Sequence, residues 1–472
     1  MVEDLLFIRS ALVQAGIEFR LVRGNDERPV IAIDAAHRGR AARALAIACA
    51  DEPFYAETVG GRSRPPLLLG DGQLSARSKA NIFRLYRPRR EPTGGLRYGS
   101  STGIELQLWV EADNEIIVPV ENSLTRRVLN RSELVEATVE LYGQRWPTLR
   151  GMFEPHASDV TFDIDLVFSW VDGNDPEYQR ARAKRSENYI VGAGDDSDAR
   201  FRQIDELKYA MRSVHLFAPW VRRIFIVTDS PRPHWLAEHP AVTIVRSAQF
   251  FSHPEVLPTH NSQAVESQLH HIPGLSEHFL YSNDDMFFGR SVQPEMFFSP
   301  GGITRFIEGP TRIGLGESDL VRSGFENAAR VNRRLLREKF GVLITRHLEH
   351  APTPLRVQVL RRLEQTFPAE FAQTEAARFR SSTDISVTNS LYHYYALITG
   401  SAVQQRDARV RYIDTTSVSG LNSLAGLLRR RNADFFCLND GSFSEVSAAE
   451  RKGRVVSFLD RYFAIPAPWE RD

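Results

Sequence analysis

Residues 163–178 read DIDLVFSWVDGNDPEY, an apolar run that ends abruptly in polar and turn-forming residues. The run from Leu166 to Val171 predicts a buried strand, and Gly173 and Pro176 predict a turn at its carboxyl end. Open α/β sheets bind ligands at this end of their strands. An Asx-rich turn that only closes the strand is the alternative. Three side chains of the turn offer oxygen atoms to a hard cation or to a sugar, namely Asp172, Asn174 and Asp175.

The stretch 279–289, FLYSNDDMFFG, repeats this pattern with two adjacent carboxylates in the turn. Asp284 and Asp285 repel each other unless a cation lies between them or one is protonated, although a solvated turn is the alternative. Because the ends of parallel strands meet at one edge, we expect Asp172 and Asp284 to meet there in a metal and diphosphate site. The stretch 435–441, FFCLNDG, shows the same pattern a third time.

The elements around these motifs alternate as in a parallel α/β sheet. A helix over 203–217 is followed by strands over 223–229 and 242–245. A chain of 472 residues exceeds what one core supports, so we expect two or three domains. The predicted parts are 1–155, a small accessory α/β domain of unknown role; 156–310, the α/β catalytic core; 311–435, a mainly helical part that completes the active site; and 436–472, a return to the core with a C-terminal tail.

Several local predictions depend on single patterns. We predict a helix around Ser132–Leu141 and a second over Ala264–His271 with Ser262 as its N-cap. Helical periodicity also covers 354–367, and the glycine- and aspartate-rich segment 192–198 predicts a mobile loop.

Composition limits the function classes. The formal net charge is zero, so no global field recruits nucleic acid or an anionic membrane. Only five of the 59 basic residues are Lys; Arg suits bidentate phosphate binding, although a biased genome composition is the alternative. Two cysteines fit a reducing compartment, and neither a signal peptide nor an apolar run of 18 residues is found. We expect a cytoplasmic protein without a transmembrane segment, with peripheral attachment at the inner face of the cell membrane left open.

Four separated blocks together closely resemble the Stealth family of sugar-1-phosphate transferases. They are Ile164–Tyr178, Phe201–Asp229, Pro258–Gly289 with its continuation through His350, and Cys437–Gly441. The family includes bacterial capsular and exopolysaccharide phosphotransferases and the catalytic part of animal GlcNAc-1-phosphotransferase. The motifs SWVDGNDP, APWVRRIFIVTD and YSNDDMFFG occur in family order, whereas residues 1–155 lie outside the blocks.

The resemblance implies a GT-A-like, Rossmann-type nucleotide-sugar core with a helical insertion. It also implies transfer of a hexose 1-phosphate from a nucleotide-diphosphate sugar, commonly UDP-linked, to a hydroxyl of an oligo- or polysaccharide acceptor, with release of the nucleoside monophosphate. A divalent cation, Mg²⁺ (or Mn²⁺), is implied, and nucleic acid is not. The residues assigned through the resemblance are Asp284, Asp285 and Asn439 for the metal; Trp170, Asp172, Gly173, Asn174, Asp175 and Asn283 for the donor; and His350, Arg380, Arg322 and Asp172 for catalysis.

As a hypothesis, His350 removes the acceptor's proton while Arg380 and Arg322 bind the transferred phosphoryl group. A capping or core histidine is the alternative for His350. An ordinary metal-dependent GT-A glycosyltransferase would use the same donor but release the nucleoside diphosphate. A catalytically silent polysaccharide-binding protein would show no metal-dependent turnover of the donor.

Overall fold

The chain forms two compact units, Met1–His156 and Ala157–Asp472. The structure is a computed structural model that describes residues 1–471 apart from 61–64, 73, 75–79, 94–95, 174, 177–178, 181–182, 184–203 and 442–443. The predicted donor residue Asn174 and the predicted loop 192–198 therefore lie outside the described residues.

The first unit is a mixed α/β structure. Its largest sheet follows the order β1-β2-β8-β5-β3-β4, with β9 and β10 added beside β8. Its elements are α1 (Val2–Gln14), β1 (Arg20–Arg23), β2 (Pro29–Asp34), α2 (Arg38–Ala48), β3 (Tyr55–Thr58), β4 (Leu67–Leu68), β5 (Ile82–Tyr86), β6 (Arg89–Arg90), β7 (Arg97–Tyr98), β8 (Ile104–Glu111), β9 (Glu115–Ile117), β10 (Val128–Asn130), β11 (Glu136–Leu141) and β12 (Gln144–Leu149).

The helix predicted around Ser132–Leu141 is wrong. Only a 3₁₀ turn forms at Arg131–Glu133, and the following residues are strand β11, which pairs with β12. Tyr142 and Gly143 both have positive φ, 54° and 69°, as the tight turn of a β-hairpin requires. Exposure alternates along β11, a period-two pattern that outweighs its helix-favouring Glu, Ala and Leu residues.

The second unit contains the motif-bearing strands. Its elements are β13 (Ile164–Ser169), α3 (Glu206–Phe217), β14 (Ile224–Val227), β15 (Val242–Val245), α4 (Ser262–Gln268), β16 (His278–Asn283), β17 (Met286–Phe288), β18 (Thr304–Arg312), α5 (Gly324–Phe340), β19 (Arg346–Leu348), β20 (Thr353–Arg356), α6 (Val357–Thr366), α7 (Pro368–Ala376), α8 (Tyr392–Ile398), β21 (Ala402–Gln405), β22 (Val410–Asp414), α9 (Val418–Arg430), β23 (Phe435–Asn439) and α10 (Ala448–Tyr462).

The core of this unit is a five-stranded sheet of order β15-β14-β13-β16-β20, parallel except for β20. Both faces are buried. Leu166 and Phe168 of β13 pack in one cluster with α3, α9 and α10, whereas Val167 packs in a second cluster with α4 to α8. A sheet buried on both faces reads as a continuous apolar run, which is the pattern seen from Leu166 to Val171. The α/β class expected for a GT-A-like core is confirmed.

Two predictions on helix starts are wrong. The helix predicted over 354–367 begins only at Val357, because Thr353–Arg356 is strand β20 at the edge of the core sheet. Pro354 is tolerated there, since proline is confined to edge strands. The helix predicted to start at Ala264 begins at Ser262, and its N-cap is Asn261, whose side chain accepts from the Gln263 amide.

The range 311–435, predicted as mainly helical, also holds the four strands β19 to β22. Within the described ranges, no helix is both long and apolar enough to cross a membrane.

Candidate active site

The predicted acidic turns leave the same edge of the core sheet. Strand β13 is paired in parallel with both β14 and β16, and Ser169 lies opposite Val227 on one side and Asn283 on the other. The turn after β13 and the turn after β16 therefore start side by side, about one strand spacing of ~4.8 Å apart. This register brings Asp172 and Asp284 to one edge, as the sequence predicts.

The turn after β13 is fixed to the neighbouring strand. The Trp170 amide donates to the Val227 carbonyl, and the Asp172 amide donates to the hydroxyl of Ser230 at 2.9 Å. Gly173 is buried, and its carbonyl accepts from the Gln179 side chain. The indole of Trp170 packs in the core cluster that contains α3, so its predicted contact with the donor stays a prediction.

Strand β23 brings a third polar turn to the two adjacent carboxylates. It pairs with β17, so the Leu438 amide donates to the Asp285 carbonyl and the Cys437 thiol approaches Asp285 Oδ2 at 3.3 Å. Asn439 follows directly. The predicted metal residues Asp284, Asp285 and Asn439 are thus adjacent although they lie far apart in sequence.

The electrostatics of this cluster favour a cation. Burial and the charge of Asp285 raise the pKa of Asp284 to about 7. Burial also raises the pKa of Asp285 to about 6, with the charges of Glu206 and Asp440 adding to the effect. Among the described residues, the buried Oδ1 atom of Asp285 has no hydrogen-bond partner. Oxygen donors that repel one another and lack a partner fit a hard divalent cation.

Two further carboxylates, which the sequence did not predict as site residues, belong to this cluster. Glu206, the first residue of α3, is buried, and burial together with the charge of Asp284 raises its pKa to about 7. Asp440 forms an ion pair with the buried Arg451 and accepts from Thr415 Oγ1 at 2.6 Å. The sequence signal for Asp440 was the third Asn-Asp-Gly turn, whereas Glu206 has no local signal.

His350 is connected to the metal residues through a tyrosine. It lies between β19 and β20, three residues before Thr353, which pairs with Tyr281 of β16. Because β20 runs against β16, His350 reaches the same edge as Asp284. The ring of His350 lies edge-on to that of Tyr412 at 5.0 Å, and Tyr412 Oη accepts from Asn439 Nδ2 at 2.6 Å. Burial lowers the pKa of His350, so the imidazole is neutral at pH 7.

The predicted arginines form a second cluster. Arg380 donates to the Ser262 hydroxyl at 3.0 Å and packs on Gly324, so it lies beside the first residues of two helices, α4 and α5. Arg322 precedes Gly324 by two residues, and its buried Nε has no hydrogen-bond partner within the part of the chain that the structure describes. Helix N-termini and guanidinium groups are favourable partners of a phosphate.

Arg330 joins this cluster and was not predicted. It is buried and donates to the carbonyl oxygens of Leu315 and Glu326. Burial and then the charge of Arg322 lower its pKa. A buried cation that a second cation repels favours an anion between the two.

Charge interactions and hydrogen bonds connect the two clusters. On one side, burial lowers the pKa of His347, and the charges of His350 and Arg330 add to the effect. On the other side, Tyr281 Oη lies 3.0 Å from Asn283 Oδ1 and 3.3 Å from the buried Glu266.

Glu266 links this side to the arginines, because the positive charge of Arg380 opposes the rise that burial causes in the Glu266 pKa. The carboxylates and the arginines therefore lie in two clusters that hydrogen bonds and charge interactions connect in series, with His350 on one connection and Glu266 on the other. Strand pairing and contacts bring together Asn283, Asp284, Asp285, Asn439 and His350, and strand register brings Trp170, Asp172, Gly173 and Asp175 to the same end of the sheet. Arg322 and Arg380 lie near the start of α5 and are connected to this group only through intervening residues.

An α/β core that carries a carboxylate cluster and an arginine cluster suits the binding of a divalent cation and of a phosphate, as enzymes that transfer phosphoryl groups require. Models of the four conserved regions of Stealth proteins match this chain: region 1 over 162–190, region 2 over 200–306, region 3 over 349–397 and region 4 over 425–472. The chain belongs to the Stealth family.

Similar proteins agree with this assignment. The exopolysaccharide phosphotransferase CpsY of Mycobacterium leprae is 63% identical over 470 residues, covering 100% of this chain and 86% of that protein. An exopolysaccharide phosphotransferase of Nocardia farcinica is 54% identical, covering 100% of this chain and 87% of that protein. The galactosyltransferase LgtC, solved with donor and acceptor sugar analogs, has a TM-score of 0.31 at 12% identity, covering 65% of this chain and 98% of that chain. A TM-score this low bears on neither fold nor function.

Proposed function

We propose that this protein transfers a hexose 1-phosphate from a nucleotide-diphosphate sugar, UDP-linked, to a hydroxyl of an oligo- or polysaccharide during exopolysaccharide synthesis. The acceptor oxygen attacks the phosphorus next to the sugar, the phosphoanhydride bond breaks, and the nucleoside monophosphate leaves. The product is a phosphodiester. The series of hydrogen bonds and charge interactions that runs from the Asp284–Asp285 turn through Tyr281 and Glu266 towards Arg380 is the observation that supports the proposal.

A divalent cation, Mg²⁺ (or Mn²⁺), fits the carboxylate cluster. Asp284, Asp285 and Asn439 would hold it, with Glu206 and Asp440 adding negative charge nearby. All five side chains supply oxygen atoms, and one buried oxygen of Asp285 lacks a hydrogen bond among the described residues, which supports the fit. When bound, the cation neutralises charge on the diphosphate of the donor.

The arginine cluster acts on the phosphoryl group that is transferred. Arg380 and Arg322 present planar guanidinium groups that bind two phosphoryl oxygens at once, which a lysine does not reproduce. Arg330 holds the segment around Leu315 and adds a third positive charge nearby. Because Arg322 and Arg330 repel each other, binding of a phosphate of the donor between them would relieve that repulsion.

His350 acts as the general base. A histidine whose pKa is lowered by burial is unprotonated at neutral pH, so it accepts the proton of the acceptor hydroxyl as the new bond forms. Such a group contributes roughly 10²–10⁴-fold to rate. His350→Ala should lose transfer and keep donor binding, whereas His234→Ala, at an exposed histidine, should change neither.

The test is a donor screen. Full-length protein is incubated with nucleotide-diphosphate sugars and an oligosaccharide acceptor, with Mg²⁺ or with EDTA, and the released nucleotide is identified by chromatography. The nucleoside monophosphate supports the proposal. The nucleoside diphosphate would assign the glycosyltransferase reaction instead, and the absence of any metal-dependent product would indicate a silent binding protein. Asp284→Asn should abolish the metal-dependent product, whereas Asp113→Asn, at an exposed turn of the first unit, should not change it.

A cytoplasmic site of action, at the inner face of the membrane, belongs to the same proposal. Next to Arg322, the side chains of Leu315, Leu320 and Val321 are 89%, 58% and 70% exposed. Residues 312–339 carry seven basic and four acidic side chains, so this apolar loop lies in a region of net positive charge. Exposed aliphatic and basic groups bind the surface of an anionic bilayer. Sedimentation with vesicles that contain an anionic lipid should fall for Leu315→Ser, and binding that is equal with uncharged vesicles would refute the assignment.

A further inference from the structure

Two histidines and a glutamate converge away from the active site. His270 and His271 lie in the 3₁₀ turn Leu269–His271 that follows α4, and Glu364 lies on α6. One ligand atom from each of these residues lies within 4.8 Å of the other two. His270 Nε2 is 2.9 Å and His271 Nε2 is 3.5 Å from Glu364 Oε2. The cluster therefore has the dimensions of a small binding site.

This cluster lies at the amino end of strand β16, whereas the carboxylates lie at its carboxyl end. The 3₁₀ turn leads into the amino end of β16, and α6 starts where β20 ends. Because His278 of β16 pairs with Arg356 of β20, both connections lie at the amino end of β16. Asp284 follows the carboxyl end of β16. It lies six residues after His278, which corresponds to roughly 20 Å along an extended strand. None of the residues in the proposed mechanism belongs to this trio.

The hydrogen bonds of the described residues leave the trio incompletely paired. His270 is buried and bonds to Glu364, but the buried Nε2 of His271 has no hydrogen-bond partner among those residues. An imidazole nitrogen that is shielded from water and makes no hydrogen bond costs free energy, which its ion pair with Glu364 at 3.5 Å offsets only in part. A metal ion held by both atoms removes that cost, since tetrahedral zinc with bonds of about 2.0–2.1 Å separates its ligands by roughly 3.4 Å.

We propose that His270, His271 and Glu364 form a site for Zn²⁺ that is separate from the active site. Two imidazole nitrogens and one carboxylate are a known ligand set for this ion, with water in the fourth position. The side chains of His271 and Glu364 are 31% and 27% exposed, so the ion can enter from solvent. The site links the turn before β16 to helix α6 and thereby holds two connections of the core sheet together.

The experiment is a competition titration of Zn²⁺ against a chromophoric chelator, using full-length protein saturated with Mg²⁺. We expect one Zn²⁺ per chain, and His271→Ala and Glu364→Gln should each raise the Kd at least about 100-fold, since even the outer hydrogen-bond partners of metal ligands are worth 10–100-fold. His234→Ala is the matched control. Asp284→Asn should still bind one Zn²⁺ per chain at this site. Circular dichroism verifies that each variant is folded.

A second readout does not depend on turnover. Zn²⁺ should raise the Tm of the wild type and of Asp284→Asn, but not that of His271→Ala, because only a folded site binds the ion. The proposal would be overturned if the wild type did not bind Zn²⁺, or if His271→Ala and Glu364→Gln bound it as tightly as the wild type. The three residues would then form only a hydrogen-bonded trio. Neither result depends on the identity of the donor, so a failure here is distinct from a failure of the proposed function.

Discussion

Adding one methyl group at Gly324 should disable the arginine cluster without touching an arginine. A Cβ atom at this position would lie 2.8 Å from both Cβ and Cδ of Arg380, well inside the 3.5–4.0 Å of ordinary carbon contacts. The Cβ of Arg380 is fixed to the backbone and cannot rotate away. The Gly324→Ala substitution therefore moves Arg380 from its place beside Ser262.

The magnitude follows from the interactions that Arg380 would lose. Hydrogen bonds to a charged group are worth about 1.5–3 kcal/mol, so we expect kcat/KM to fall about 10- to 150-fold. Folding should change less, because about 1–3 kcal/mol of overpacking is partly offset by the better helix propensity of alanine. The assay is nucleoside monophosphate release, with Tm measured in parallel.

A double-mutant cycle makes the interpretation refutable. Gly324→Ala should cost activity in the wild type and little in an Arg380→Ala background, because the displaced group is already gone. Gly453→Ala in α10 is the matched control: within the described ranges its Cβ meets no atom within 4 Å, so activity should not change. Equal losses in both backgrounds would show that Gly324 acts on something other than Arg380.

Three further outcomes are expected. Asp285→Asn should abolish the difference in product release between Mg²⁺ and EDTA, and a remaining difference would place the metal elsewhere. Tyr412→Phe should lower kcat/KM roughly 2- to 10-fold, since it removes one hydrogen bond of about 0.5–1.5 kcal/mol to Asn439 and keeps the ring against His350. Burial lowers the pKa of His393 to about 3, below its unfolded value near 6.5, so its contribution to stability is present above pH 6.5 and lost as the pH falls. The free energy of unfolding, measured with urea, should therefore fall by about 2 kcal/mol between pH 7 and pH 5. His393→Phe should flatten this pH dependence, whereas His234→Ala should not.

The core sheet could be predicted because its strands are buried on both faces. Such strands are unbroken apolar runs, and the polar turns after them stand out by contrast. The edge strand β20 was missed because its four residues, Thr353–Arg356, run directly into a helix and carry no alternation. The hairpin at Tyr142-Gly143 was missed because a turn signal was outweighed by residues that favour helices.

The residues of the candidate site also fall into two groups, those that a local sequence pattern predicts and those that only tertiary packing brings to the site. Asp284 and Asp285 were predictable because they occupy a recognisable turn after a strand. Glu206, Arg330 and Tyr412 were not, because each is an ordinary residue of a helix or strand until tertiary packing brings it to the site. Arg330 resembles the other arginines of α5, and only its burial distinguishes it.

The pairing of β17 with β23 has a consequence for biosynthesis. Asp285 meets Cys437 across 152 residues of chain, so the acidic cluster stays incomplete until that part of the polypeptide has left the ribosome. The parallel strands and His350 are translated earlier and can fold first. A nascent or truncated chain that ends before β23 would thus carry the parallel strands of the core sheet but lack Asn439 and Asp440, and we expect it to be inactive.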